Sequence, residues 1–311
     1  MIETLFYIFI FPGFLFLSVA GVFAEYFDRI LYARFQNRQG PPWFQPVADF
    51  IKLLAKEQII PEEAEPRLFS ILPVIALTAA VTGIFYIPLW NPSALFSFEG
   101  DLVVVIYLLT LPTITFFLAG WTSTSLYAMV GSVRTLTQLF AYEVPLFMGI
   151  LAPTILAETW SLSGLTAYYG AHPAYILFNI PAFIVSLIAI QGKLEKVPFD
   201  IPEAETEIVG GTFTEYSGRL LAYFRMAIDI EMVVCASLLS AVFLPFYAQL
   251  GFAAAFALYI VKVMFMIFLF ALIRSLFARL RIDQMVRFCW KWLAPLALLQ
   301  IAINFVLKGI L

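Results

Sequence analysis

Lys196-Val-Pro-Phe-Asp-Ile-Pro-Glu-Ala-Glu-Thr-Glu-Ile-Val-Gly-Gly211 sets four carboxylates, Asp200, Glu203, Glu205 and Glu207, between two long apolar runs, with Glu215 close behind. The flanking runs, about 174–192 and 219–246, are each long enough for a helix of about 20 mostly apolar residues to cross hydrocarbon. Carboxylates are costly beside membrane spans, so the stretch reads as a polar connection kept for protons, cations or a charged partner. Working outward, six more segments qualify as spans: about 4–24, 68–90, 102–121, 137–157, 252–273 and 290–308. None shows strand-like alternation, which favours helices over a barrel. The expectation is an all-α polytopic membrane protein with about eight transmembrane helices, a single integral domain over 1–311. Only 13% of its 311 residues are charged, against roughly 25% in soluble domains, which supports the same class.

Composition also excludes functions. A net charge of −3 without a basic run gives no nucleic-acid signal. Two cysteines 54 residues apart cannot hold an iron–sulfur cluster, and one histidine, His172, cannot give bis-histidine haem ligation. Electron chemistry must then sit on another subunit, and this chain reads as a non-catalytic part of any oxidoreductase. The first apolar segment lacks a basic leader and a small-residue cleavage site, and reads as a retained span.

Basic residues predict the topology. Arg29, Arg34, Arg38, Lys52, Lys56 and Arg67 follow span 1; Arg134 follows span 3; Lys193 and Lys196 follow span 5; Arg274, Arg279, Arg281 and Arg287 follow span 7. Loops after spans 2, 4 and 6 carry no Lys or Arg. The positive-inside rule then puts both termini outside and the odd-numbered loops (about 25–67, 122–136, 193–218 and 274–289) in the cytoplasm. In the first loop, Phe44 to Lys56 reads as an amphipathic helix. Val47, Phe50, Leu53 and Leu54 make one face; Asp49, Lys52 and Lys56 gather on the other. Such a helix lies in the interface plane or docks a partner, the alternative being a topological anchor.

Several charges fall inside spans. Glu143 in span 4 is a candidate proton carrier, with Pro145 able to kink the helix and admit water; a structural ion pair is the alternative. Arg134, nine positions away, is badly placed to pair with it. In span 6, Arg225 and Asp229 are spaced i,i+4 and can pair on one face, with Glu231 pointing elsewhere; a structural pair and a functional relay both stand. Lys262 in span 7 needs a partner, which one of these acids could supply. The acidic loop reads either as a cluster of carboxylates that raise one another's pKa and share protons, or as a solvated face for a basic partner.

The residues 196–218 resemble the signature loop of the complex I H-subunit family, the membrane subunit at the quinone cavity. Gln45-Pro-Val-Ala-Asp-Phe-Ile-Lys-Leu-Leu-Ala-Lys-Glu57 is similar to its first-loop helix, and Arg134 through Pro145 to its membrane-glutamate block. Arg279-Leu-Arg-Ile-Asp-Gln-Met-Val-Arg287 with Trp290-Lys291 is similar to its last loop. Quinone-reducing members usually have a longer first loop. Here Arg38-Gln-Gly-Pro-Pro-Trp-Phe-Gln-Pro46 leaves three residues between Gly40-Pro41 and Gln45-Pro46, and Ala33 to Pro41 resembles the branch found in membrane-bound nickel–iron hydrogenases and sulfane sulfur reductases.

That resemblance implies an energy-coupling subunit linking electron transfer from ferredoxin to proton or sodium translocation. The implied ion pathway is Glu143, Asp200, Glu203, Glu205, Glu207, Glu215, Arg225, Asp229, Glu231 and Lys262. The implied docking set for the redox arm is Arg34, Arg38, Asp49, Lys52, Lys56, Arg134, Arg279, Arg281 and Asp283. Implied partners are hydrogenase-like large and small redox subunits, an iron–sulfur subunit and antiporter-like membrane subunits. Iron–sulfur clusters, and in hydrogenase-type members a nickel–iron centre, belong to those partners. Two alternatives stand: a quinone-binding member of the family, with a tunnel under the first-loop helix bordered by Trp43, Phe44 and Phe50, and a passive membrane anchor.

Overall fold

The computed structural model describes residues 2–247 and 251–310, and among these every regular element is helical. Eight helical spans are long and apolar enough to cross a membrane: Glu3–Phe35, Pro66–Tyr86, Asp101–Thr122, Leu126–Ala157, Pro173–Lys193, Gly218–Phe243, Phe252–Leu276 and Ile282–Gly309. The first is interrupted at residues 10–13, giving α1 (Ile2–Phe9) and α2 (Phe14–Phe35). The first-loop helix is α3 (Gln45–Ala55). Then come α4 (Pro66–Gly83), α5 (Asp101–Thr122), α6 (Leu126–Ala157), the short α7 (Leu162–Ala171), α8 (Ile180–Lys193) and a single turn, α9 (Glu205–Ile208). After α10 (Gly218–Phe243), α11 (Phe252–Leu276) and α12 (Ile282–Phe288), a π-helical turn over Cys289–Leu293 leads into α13 (Ala294–Ile310).

Two spans start earlier than their apolar runs suggest. α6 begins at Leu126, so Arg134 stands on a helix and not in a loop, and α12 occupies part of the expected last loop. The reason is packing. α6 has 32 residues and is about 48 Å long, well beyond a hydrocarbon core of about 30 Å, and its first turns lie against the acidic loop. Gly131 is what permits the approach: a Cβ there would meet the Thr212 backbone nitrogen at 2.7 Å. α6 also runs unbroken through Pro145.

α10 is buried on nearly all sides, in contact with α2, α3, α4 and α11, and this enclosure lets a helix carry Arg225, Asp229 and Glu231 at membrane depth. A second, aromatic core pins the exit of the acidic loop. Phe69 and Tyr216 stack at 3.9 Å, with Phe116, Phe213 and Phe224 packed around them.

Loops 1, 3, 5 and 7 gather at one end of the bundle. The Ile59 N–H donates to the Ser217 hydroxyl, Arg134 reaches Glu207, and the Leu280 N–H donates to the Pro198 carbonyl. The opposite end joins residues 87–100 to 158–166, where the Asp101 carboxylate accepts the Leu162 N–H at 2.7 Å. Deeper on that side, Asn179, Gln300 and Asn304 form a buried amide chain that ties α13 to α6 and α8.

Candidate functional site

Helix α3 does not turn its most apolar face inward. Pro46, Asp49, Phe50 and Leu53 face the protein, while Val47, Ile51 and Leu54 are exposed. Asp49, expected outside with the lysines, is drawn in because Arg29 of α2 meets it at 3.2 Å and Gln45 donates to it. Under this helix lies a cavity of about 570 Å³, bounded by α2, α3, α10, the start of the acidic loop and the end of α11. More than half of its lining residues are charged, among them Glu25, Arg29, Lys193, Glu195, Asp200, Glu203, Asp229 and Glu231.

Charges removed from water persist only if paired, and most here are. Asp28, fully buried behind the wall, sits between Lys196 at 2.7 Å and Arg274 at 2.8 Å. Glu25 pairs with Arg29 at 2.5 Å. In the acidic loop, Glu203 meets Arg225 at 2.6 Å, Asp200 meets Arg279 at 3.2 Å, and Glu207 meets Arg134 at 2.6 Å.

This pairing corrects two expectations. Arg225 turns to Glu203 and not to Asp229, because the folded loop offers a closer acid than the i,i+4 neighbour. Asp229 instead lines the cavity, with no ion-pair partner within 4 Å among the described residues. Asp200, Glu203 and Glu207 are also not left to crowd one another, since each meets an arginine, with Arg279 reaching both Asp200 and Glu207. The hydrogen bond from Arg134, with the charges of Arg279 and Arg134, holds Glu207 below the usual carboxylate range, whereas burial, opposed by Arg279, raises Asp200. Between Lys196 and Gly210 only the single turn Glu205–Ile208 is helical, so Glu203 precedes it and Glu207 lies within it. The Glu205 side chain lies outside the described residues. Glu215 is half-buried beyond the cavity.

Lys262 is likewise corrected. Its ammonium donates to the Leu244 carbonyl at 3.3 Å and sits 4.4 Å from the centre of the Tyr247 ring. A cation there caps the C-terminus of α10, which explains the charge without any acid. The structure does not bring Lys262 to the cavity.

Lys193 carries the link to Glu143. Its side chain is 2% exposed and pairs with Glu231, also 2% exposed, at 2.8 Å. It also donates to the Leu109 carbonyl, with Thr113 Oγ1 at 3.5 Å and the Tyr142 ring centre at 6.0 Å. Lys193 lines both the large cavity and a second one of about 10 Å³, room for about one water, whose wall includes Thr110, Glu143 and Cys235. In that second space Thr110 Oγ1 lies 2.8 Å from Glu143 Oε1 and 3.0 Å from the Ile106 carbonyl. The hydroxyl can donate to an ionised Glu143. When the carboxyl is protonated, the hydroxyl can accept from it while donating to Ile106, so both protonation states are accommodated.

Glu195, between Lys193 and Lys196, is pushed up to about 8 by burial first and by the charges of Glu203 and Glu231 second. Its folded pKa exceeds its unfolded one, so the folded chain holds the proton more tightly, and stability falls as pH rises from about 4.5 to about 8. Glu195→Gln is expected to raise Tm by about 2–4 °C or more at pH 8, with little change at pH 5. Thermal unfolding at the two pH values checks this, and equal shifts at both would contradict it.

Of the docking set, Arg34, Arg38, Lys52, Lys56, Arg281 and Asp283 reach the surface at the basic end. Arg134 and Arg279 hold the acidic loop instead, and with Arg281 and Asp283 they rim a shallow pocket of about 350 Å³. Glu25, Asp28, Lys193, Glu195 and Arg274 are absent from the sequence-based site, where Lys193, Lys196 and Arg274 count only as topology markers. The available signal is an acid at each of positions 25 and 28 at the end of an otherwise apolar span.

The family model described as NADH dehydrogenase matches residues 7–305. NADH-quinone oxidoreductase subunit 8 of Thermus thermophilus is 36% identical over 296 residues, covering 91% of this chain and 81% of that protein. An NADH-quinone oxidoreductase H-type subunit of Geobacter sulfurreducens is 34% identical over 324 residues, covering 96% and 92%. Among solved structures, a chain of the membrane-bound sulfane sulfur reductase, an archaeal respiratory membrane complex, superposes with a TM-score of 0.82 at 26% identity, covering 94% of this chain and 96% of that one.

Proposed function

The chain belongs to the NADH dehydrogenase family as an H-type, multi-pass membrane component of a respiratory complex, and from that premise we propose that it is the energy-coupling subunit of a complex of the membrane-bound hydrogenase or sulfane sulfur reductase type. One observation carries the reading: the space beneath α3 is lined mainly by charged side chains and leads, across Lys193, to Glu143. A quinone ring and its tail are uncharged and call for a mostly apolar wall. Of the three expected borders of such a tunnel, Phe50 lines this space, whereas Trp43 and Phe44 are exposed (67% and 49%) and do not.

In this reading both termini lie outside, the basic end is cytoplasmic, and Arg34, Arg38, Lys52, Lys56 and Arg281 at its surface dock a redox arm of hydrogenase-like and iron–sulfur subunits. Reduced ferredoxin feeds electrons to that arm. A charge change at the junction shifts proton affinity among Asp200, Glu203 and Glu195. The shift passes through Glu231 and Lys193 to Glu143, and on to antiporter-like subunits. A few kcal/mol of differential affinity suffices, which shifts of about two to three pKa units supply. The relatives at 34–36% identity are NADH-quinone oxidoreductase subunits, and they favour a second reading, a quinone-binding member of the family.

Membrane vesicles carrying the complex separate the two. With reduced ferredoxin as sole donor and no quinone, ion uptake should proceed at its full rate. Uptake that appears only when a short-chain quinone is added would overturn the first reading in favour of the second.

A further inference from the structure

Lys193 stands in the only wall that the two cavities share among the described residues, and it is a cation where a relay of acids would suffice. Its ammonium touches the Leu109 carbonyl, while Glu143 is held by the next residue, Thr110, so the two charges face the same turn of α5. Tyr142, beside Glu143, lies under the same ammonium. On the other side Glu231 is open to the large cavity. Lysine has a flexible four-carbon stem with a compact point charge, and can change partner without moving a helix.

Resting on the coupling role proposed above, we infer that Lys193 is an ammonium gate that lets proton equivalents pass between the charged cavity and Glu143 and bars metal cations. In one state Lys193 pairs with ionised Glu231 while Glu143 is protonated; the Lys193–Glu231 contact of the structure is the pairing of this state. In the other, Glu231 takes a proton from the large cavity, Lys193 turns to Glu143, and Glu143 gives up its proton on the far side. One proton enters and one leaves, and the cycle closes when the proton on Glu231 passes to Glu143 by way of the one-water space as Lys193 swings back to Glu231, the lysine keeping its own proton throughout. A sodium ion attempting the same route meets a fixed positive charge in a space sized for one water, where repulsion is weakly screened. Glu143 is thereby a proton site and not a sodium site, whatever ion the neighbouring subunits move.

Carbodiimide labelling tests this on the assembled complex in its membrane, because the reagent adds only to protonated carboxyls and a bound cation slows it. Labelling of Glu143, read by peptide mass, should be unaffected by sodium chloride in the native complex and in Lys193→Arg. In Lys193→Met, sodium should slow it by about tenfold or more, since removing one unit charge at about 4 Å where the effective dielectric is about 20 changes cation affinity by up to about a thousandfold. Potassium chloride at the same ionic strength controls for screening, and copurification of partner subunits shows that each variant is assembled. Sodium protection in the native complex overturns the gate, as does its absence in assembled Lys193→Met. If Lys193→Met does not assemble, the native complex and Lys193→Arg still decide, since protection in either one overturns the gate. Failure of the coupling role is seen separately, as ion uptake that survives loss of the Glu143 carboxyl.

Discussion

Replacing Glu231 with Ala should cost about 3–5 kcal/mol and leave little of the chain in an assembled complex, because the Lys193 ammonium would stay buried without its counter-charge. The large figure belongs to the orphaned partner and not to the pair itself. Lys193 Nζ would retain the Leu109 carbonyl and Thr113, two neutral groups, with its side chain only 2% exposed at the cavity wall, and Glu143 could compensate only by staying ionised. Removing both charges with hydrophobic residues of similar volume should therefore be far milder. The double variant Lys193→Met, Glu231→Leu is expected to recover most of the assembled yield while failing to couple. Comparing the two yields after detergent extraction checks the argument. Normal assembly of Glu231→Ala, or a double variant as poor as the single, would show that the pair is not the buried, mutually dependent contact described here.

The span count and the all-helical class are legible in the sequence because they follow from run length and charge scarcity, which tertiary contacts do not alter. The acidic loop and Glu143 are legible for a related reason: each acid is conspicuous against an apolar background. Direction is what stays hidden. Lys193 and Lys196 satisfy the positive-inside pattern whether they snorkel outward or turn in, and only packing shows Lys193 between Tyr142 and Glu231 and Lys196 against Asp28. Helix spacing pairs Arg225 with Asp229 because it shows neighbours on one helix and nothing of a loop folding back from an earlier part of the chain. The inward face of α3 escapes the same kind of reading, since Arg29 outcompetes hydrophobicity for the orientation of Asp49. Lys262 looks in need of an acid until a helix C-terminus and an aromatic ring are seen to meet it.

Glu143→Gln should abolish ion translocation while leaving redox turnover and assembly close to native. Gln has nearly the same volume, and its carbonyl oxygen can still accept the Thr110 hydroxyl, so the half-buried site loses little packing. What it cannot do is release a proton, and the second cavity offers no other carboxylate in its wall among the described residues. A lone carboxylate at this depth costs roughly 2.5–3.5 kcal/mol on insertion scales, so neutralising it should if anything ease folding. Loss of activity in a chain that folds as well or better is the signature of a functional charge, and a passive anchor predicts no such loss. The decisive measurement is the ratio of ions moved to electrons transferred by Glu143→Gln complexes in sealed vesicles. A ratio near zero at normal electron flux is the predicted result; a native ratio would contradict the path from the charged cavity through Lys193 to Glu143.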